Sequence, residues 1–287
     1  MKTADKEQAK DHSQREEDGQ LKLKAPTTPS KLPFGKVFDK DQIVSYLQLE
    51  ELRNLLHLTI STRSMGLVTG EAGTGKTTAV HIVVNELPSN KYTIIYLGQD
   101  QDGTNLCRRL ALSLGLKPRL SRTHTLLAIS QHLSDNRLEQ GREVCLIVDE
   151  AHLLDNATLE DIRLLTNDNF DSQSPLSIIL VGQLPLRTRL KGIGFEAINQ
   201  RLRFRYALEG FSEQETEDYI RHHMRLVDYP ENFFDPAACK LIFQAGRGVI
   251  REINNLALLS FLKAFSNDSK KVDAKLVKQV LDQRELN

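Results

Sequence analysis

The chain has 287 residues, enough for one large or two modest domains, and 40% of them are hydrophobic, enough to bury a core. Lys plus Arg and Asp plus Glu each number 38, so formal net charge is zero and any surface for a polyanion must be a local patch. Three separated cysteines, Cys107, Cys145 and Cys239, form no CxxC pair, which argues against a zinc site; the charged N-terminus is no secretory signal, and no stretch approaches the ~20 apolar residues of a membrane helix, so a cytoplasmic protein is expected.

Residues 1–32 are polar, of mixed charge, and end in APTTPSKLP. So few apolar side chains cannot offset the entropy of ordering, and a disordered tail is expected. From Pro33 the texture changes. The run QIVSYLQLEELRNLLHLTI has apolar residues at helical spacing. Strand and helix signals then alternate: GLVTG, a strand; KTTAVHIVVNEL, a helix; YTIIYL, a strand; TNLCRRLALSLGL and TLLAISQHLSDNRL, helices; VCLIVDE, a strand; ATLEDIRLLT, a helix; SIILVG, a strand; RFRYAL, a short fifth strand. Continuous apolar strands separated by helices predict a parallel sheet covered on both faces over 33–208. From 209 to 287 the strands stop. SEQETEDYIRHHMRLV opens with a capping box, Ser212 to Glu215, and DPAACKLIFQAG has Asp235 as N-cap with Pro236 at the first helical position. Two further amphipathic runs follow, so a small all-helical domain of about four helices is expected.

The string GEAGTGKTT runs from Gly70 to Thr78: Gly70, Glu71, Ala72, Gly73, Thr74, Gly75, Lys76, Thr77, Thr78. It fits the phosphate-loop pattern, with a strand leading in and a helix leading out. Glycines let backbone N–H groups turn inward around phosphate oxygens, and the following helix aims its positive end at the same anions. Lys76 is placed to reach the β- and γ-phosphates of ATP, and the Thr77 hydroxyl to ligate Mg2+. VCLIVDEAH ends a buried strand in two acids. Asp149 would hold magnesium through water, and Glu150 would act as general base on the water attacking the γ-phosphate. Open parallel sheets bind ligands beyond their strand C-termini, which brings these acids near the phosphate loop. His152 reads as structural.

The strings RLLTNDNFDSQSPLSIILVGQLPLRTRL, QRLRFRYALEGFSEQETEDYIRHHM and GRGVIREINNLAL resemble the ExeA-like AAA+ ATPases, from about Leu32 to the C-terminus. That group includes ATPases accompanying DDE transposases, related to TniB and IstB. The resemblance implies an AAA+ P-loop NTPase fold, a parallel sheet flanked by helices plus a small C-terminal helical lid. It implies a sensor 1 role for Gln183, near the γ-phosphate. It implies an arginine finger at Arg201, with Arg203 as the alternative, reaching a neighbouring subunit's nucleotide. It implies a sensor 2 role for Arg251 on the lid, and Pro33 and Phe34 beside the adenine. A finger acting in trans implies a homo-oligomer, ring or helical filament.

Two functions follow as expectations. One is a transposition helper that assembles on duplex DNA with ATP and recruits a transposase to target sites. The other is a secretion-associated ATPase like ExeA, acting on protein partners. Proteins of that second kind continue into a transmembrane segment and a peptidoglycan-binding region. This chain ends after the lid, which favours the first. A nucleotide-gated switch with little turnover ranks below both, because all the residues for hydrolysis are present. For DNA, the stretch CRRLALSLGLKPRLSRTH holds Arg108, Arg109, Lys117, Arg119, Arg122 and His124. Lys117, Arg119 and Arg122 on its loop are the expected phosphate contacts, salt-sensitive and blind to sequence.

Overall fold

The computed structural model describes residues 32–35, 46–98, 105–166 and 174–285. The expected tail up to residue 31 and the first residues of the first predicted helix lie outside these. The first helix, α1 (Leu47–Ser61), leads into β1 (Met65–Gly70), α2 (Lys76–Asn85), β2 (Tyr92–Leu97), α3 (Leu106–Ser113), α4 (Arg122–Gln140) and β3 (Glu143–Val148). Then come α5 (Asn156–Leu165), β4 (Leu176–Gly182), α6 (Leu184–Arg189), α7 (Glu196–Arg201) and β5 (Leu202–Leu208). The five strands form one sheet in the order β2-β3-β4-β1-β5, and every pairing is parallel.

The order explains the sequence texture. β1 and β4 lie inside the sheet and are buried at every residue. They therefore read as unbroken apolar runs rather than alternating ones. The edge strands β2 and β5 expose part of their length. Successive side chains on the inner strands point to opposite faces. Leu67, Leu146 and Ile178 pack with α3, α4 and α5, while Val68, Ile147 and Ile179 pack with α1 and α2. The short helices α6 and α7 had no counterpart in the sequence reading. At six residues each, they are too short to display a helical period.

The register lines up the strand C-termini. Leu97 stands opposite Val148, and Thr69 opposite both Gly182 and Ala207. The next residues of three neighbouring strands, Glu71, Asp149 and Gln183, therefore emerge along one rim.

After β5 the chain forms α8 (Glu213–Leu226), α9 (Pro236–Gly246), α10 (Ile250–Ser266) and α11 (Ala274–Glu285) around a separate apolar cluster. Ser212 and Glu215 make the reciprocal capping box at the start of α8. Asp235 accepts from the Ala238 N–H with Pro236 behind it at the start of α9. A bridge from Phe234 to Val272 ties the start of α9 to the approach to α11. Phe34, from the far end of the chain, is buried in this helical cluster rather than against the sheet.

Candidate nucleotide site

β1 ends at Gly70, and the loop 71–75 turns back over the strand rim. A Cβ on Gly70 would stand 2.4 Å from the Leu208 carbonyl oxygen, so only glycine lets β1 end this close to β5. Gly73 and Gly75 take φ of 85° and 87°, conformations that L side chains rarely adopt. The loop is held from inside: the Glu71 carbonyl accepts from Lys76 Nζ at 2.6 Å and from the Thr74 hydroxyl at 2.9 Å. Lys76 opens α2 and is 9% exposed. Its pKa is lowered by desolvation, against the opposing pull of Glu150 and Asp149. An ammonium this far from water is poised to exchange the Glu71 carbonyl for a phosphate oxygen.

Asp149 lies just past β3 and is 7% exposed. Its Oδ2 accepts from the Thr77 hydroxyl at 2.6 Å and from the Tyr96 hydroxyl at 2.6 Å, and its Oδ1 from the Glu150 N–H at 2.8 Å. The Thr77 and Asp149 oxygens form a hard donor pair beside the loop, which fits Mg2+ completed by water and phosphate oxygens. Among the described residues, no group of three or more His, Cys, Asp or Glu side chains is arranged to hold a metal. Tyr96 escaped the sequence reading. No local pattern in YTIIYL marks it, and only the β2–β3 pairing shows that it reaches Asp149. Burial first, and then the bond to Asp149, push its hydroxyl well above the usual phenol range. Glu150 adopts φ 52° and ψ 32°, a left-handed conformation strained for this residue. Its carboxylate lies 3.3 Å from Nδ1 of His152.

A cleft of about 530 Å3 runs from this rim to the helical cluster, a volume within the range of small-ligand sites. Its polar end is lined by Gly73, Gly75, Lys76, Thr77, Glu150 and Gln183. Its far end is lined by Phe34, Tyr46, Phe211, Tyr219, His223 and Ile250, an aromatic and apolar chamber suited to a flat base. Ala72 and Thr78 complete the loop wall.

The structure brings most of the remaining expected residues to this cleft. Gln183 is the N-cap of α6 with no side-chain capping bond. Arg251 lines the cleft, and its backbone N–H donates to the Gly73 carbonyl at 3.1 Å. The adjacent Glu252 is engaged by Arg284 at 2.6 Å. Phe34 lines the base end; Pro33 is buried beside it but is not part of the wall. Arg201 and Arg203, at the end of α7 and on β5, do not line this cleft. Arg201 Nη1 lies 3.5 Å from the Thr166 carbonyl, and Arg203 is exposed.

The basic stretch needs one correction. Arg122 was expected to face phosphates, but Nε and Nη2 both lie 2.6 Å from Oδ2 of the buried Asp161. A buried carboxylate requires that neutralisation, so Arg122, though its side chain is 41% exposed, has its charge balanced within the fold. Cys107 Sγ donates to the same oxygen at 2.8 Å. Arg109 is likewise bound to the Gly98 carbonyl. Lys117 and Arg119 remain exposed on the loop between α3 and α4, flanked by the exposed Arg108 and His124.

Comparison with known proteins agrees with this geometry. Residues 57–190 match the family model described as an AAA domain. General secretion pathway protein A of Aeromonas hydrophila is 30% identical over 236 residues, 79% of this chain; the chain spans 43% of that protein's length. The Aeropyrum pernix ORC2 protein superposes with a TM-score of 0.64 at 14% identity, covering 88% of this chain and 71% of that one. The Thermotoga maritima RuvB Holliday junction branch migration motor superposes with a TM-score of 0.56 at 19% identity, covering 87% and 72%. The Aeropyrum pernix ORC1 protein in complex with DNA gives 0.59 at 15% identity, covering 88% and 67%. At these identities the superpositions establish a shared P-loop NTPase fold.

Proposed function

We propose that this chain, which carries an ExeA-like AAA+ ATPase domain, is a magnesium-dependent ATPase that assembles with its own copies on duplex DNA and regulates transposition by recruiting or activating a DDE transposase. The observation that carries the ATPase reading is the meeting of Lys76, Thr77, Asp149 and Glu150 at one end of a cleft whose other end suits a flat base.

In this reading the loop amides and Lys76 hold the β- and γ-phosphates. Thr77 and Asp149 would hold the magnesium ion, which supplies charge neutralisation when bound. Glu150 takes a proton from the attacking water. Gln183 orients that water or the γ-phosphate. Arg251 reads the nucleotide from the helical side, coupling the lid to the phosphate loop. A cation is wanted at the γ-phosphate as charge develops. Arg201 and Arg203 lie outside their own subunit's cleft, so either would serve a neighbour's.

The DNA reading draws support from Lys117 and Arg119, two exposed cations on one loop without a nearby ion-pair partner in the described structure. The transposase reading rests on the sequence strings around Gln183, Arg201 and Arg251. A second reading, an ATPase acting on protein partners, is favoured by the 30% identity to General secretion pathway protein A.

Negative-stain microscopy of the purified protein with duplex DNA, with and without a slowly hydrolysed ATP analogue, separates them. Nucleotide-dependent rings or filaments on DNA support the first reading. Nucleotide-dependent rings that ignore DNA move the substrate to protein.

A further inference from the structure

Beside Glu150 lies a buried nitrogen that the fold does not satisfy. His152 sits on a single helical turn, Ala151–Leu153, whose N-cap is Glu150. The Leu153 N–H donates to the Glu150 carbonyl at 2.9 Å, so both side chains spring from one short piece of fixed backbone. The turn lies against the end of β4, where a Cβ on Gly182 would stand 3.2 Å from the His152 backbone nitrogen. Arg189 of α6 fastens its far side, donating to the Leu154 carbonyl at 2.6 Å.

His152 Nδ1 is sealed from solvent and has no hydrogen-bond partner. Its polar neighbour is Glu150 Oε2 at 3.3 Å, close enough to attract but out of line for a hydrogen bond. A bare nitrogen lone pair would repel a carboxylate at this distance, so Nδ1 carries the ring hydrogen. No water reaches that N–H, and a buried donor left unmet is costly. Among the described residues, no other side chain makes a hydrogen bond or ion pair with the Glu150 carboxylate. Lys76 feels its charge, but that ammonium is hydrogen-bonded to the Glu71 carbonyl.

We infer that His152 is the positioning residue of the general base, its Nδ1–H gripping one oxygen of the Glu150 carboxylate and leaving the other toward the cleft. This rests on the ATPase reading above and adds the group that aims its base. A small rotation of the Glu150 side chain brings donor and acceptor into line and satisfies the nitrogen. A carboxylate on a solvent-exposed side chain otherwise samples rotamers that miss the attacking water. Holding it in one of them supplies orientation, which acts on the rate rather than on binding. His152 touches neither nucleotide nor water in this arrangement, so ATP affinity does not depend on it.

The test is single-turnover ATP hydrolysis with equilibrium ATP binding, on the full chain. The variants are His152→Leu, which removes the donor, and His152→Asn, whose amide nitrogen can stand near the place of Nδ1. His152→Leu should hydrolyse ATP about tenfold more slowly, with affinity within about twofold of wild type. His152→Asn should recover most of that loss. In a Glu150→Gln background, His152→Leu should change the residual rate by less than about twofold, because a residue acting through the base has nothing left to aim. A structural role would give the same loss in both backgrounds, or a fall in ATP affinity with the rate. Either result would overturn the assignment, as would an unchanged rate in His152→Leu. Wild-type protein that does not hydrolyse ATP would instead remove the ATPase reading, and this inference with it.

Discussion

The hydroxyl of Tyr96 donates to Asp149 Oδ2 at 2.6 Å, the same oxygen that takes the Thr77 hydroxyl. With the Glu150 N–H on Oδ1, the carboxylate is fixed from three sides before any ion arrives. An edge-strand tyrosine thus orients an acid on the neighbouring strand. Hydrogen bonds to charged groups contribute about 1.5–3 kcal/mol. Tyr96→Phe keeps the ring against His81, 4.8 Å away, and removes only the donor. It should raise the magnesium concentration needed for half-maximal ATP turnover by about tenfold. Magnesium titrations of wild type, Tyr96→Phe and Asp149→Asn would show it, and an unchanged midpoint in Tyr96→Phe would remove the positioning role.

Glu150 holds a strained backbone at the cleft mouth, and its carboxylate side chain is 42% exposed. A strained residue is retained where its placement matters. Glu150→Gln keeps size and hydrogen bonding but cannot accept the proton. It should bind ATP with near-normal affinity and turn it over about a hundredfold more slowly, or less still, in line with the contribution of general bases. Equilibrium binding and single-turnover hydrolysis on the same preparation separate the two effects; a variant of full activity would move the base elsewhere.

Gly73 is where the phosphate loop touches the lid. A Cβ there would lie 2.9 Å from Arg251 Cβ and 3.0 Å from Val249 Cγ1, and φ is 85°. Gly73→Ala therefore strains the turn and pushes α10 away, at a cost of about 1–3 kcal/mol. Nucleotide affinity should fall about tenfold or more. A fall in ATP affinity without loss of helical circular dichroism would locate the damage in the contact; unchanged affinity would show that loop and lid are not coupled here.

The strand runs, the capping box and the phosphate loop were legible because each is written in consecutive residues. Glu71 to Thr78 obey a local backbone rule, and β1, β3 and β4 declare their burial by composition. The long-range partners were not legible. Nothing near Arg122 foretells Asp161, 39 residues on, so a basic loop looked one cation richer than it is. Tyr96 meets Asp149 across 53 residues, through strand pairing that no local pattern encodes. Phe34 looked like the start of the sheet domain, yet its partners His223 and Phe234 belong to the lid.

With Arg122 and Arg109 occupied, any DNA contact on this loop falls to Lys117 and Arg119. Lys117→Glu with Arg119→Glu should lower duplex affinity at moderate salt and flatten the salt dependence by roughly two phosphate contacts. ATP binding should be unchanged. Fluorescence anisotropy at several salt concentrations reads both quantities, and identical salt slopes would make the loop an ordinary solvated surface.

His223, whose Nδ1 accepts from the Phe34 N–H at 3.4 Å, ties the described N-terminal turn to the lid and links lid stability to pH. Burial first, and then His222, lower its pKa from 6.5 to about 4. The unfolded chain, with the higher value, binds this proton more readily, so between those limits the unfolded state carries more protons than the folded one. Stability from this group is therefore complete above about pH 6.5 and is lost progressively as pH falls toward 4. The loss is on the order of 3 kcal/mol if the ring must charge in place. His223→Gln preserves an acceptor for the Phe34 N–H but cannot titrate. Urea unfolding of both proteins from pH 7.5 to 4 should show wild type losing more stability than the variant across that window. Parallel curves would mean that the ring escapes to water when it charges, and that the Phe34 contact opens at little cost.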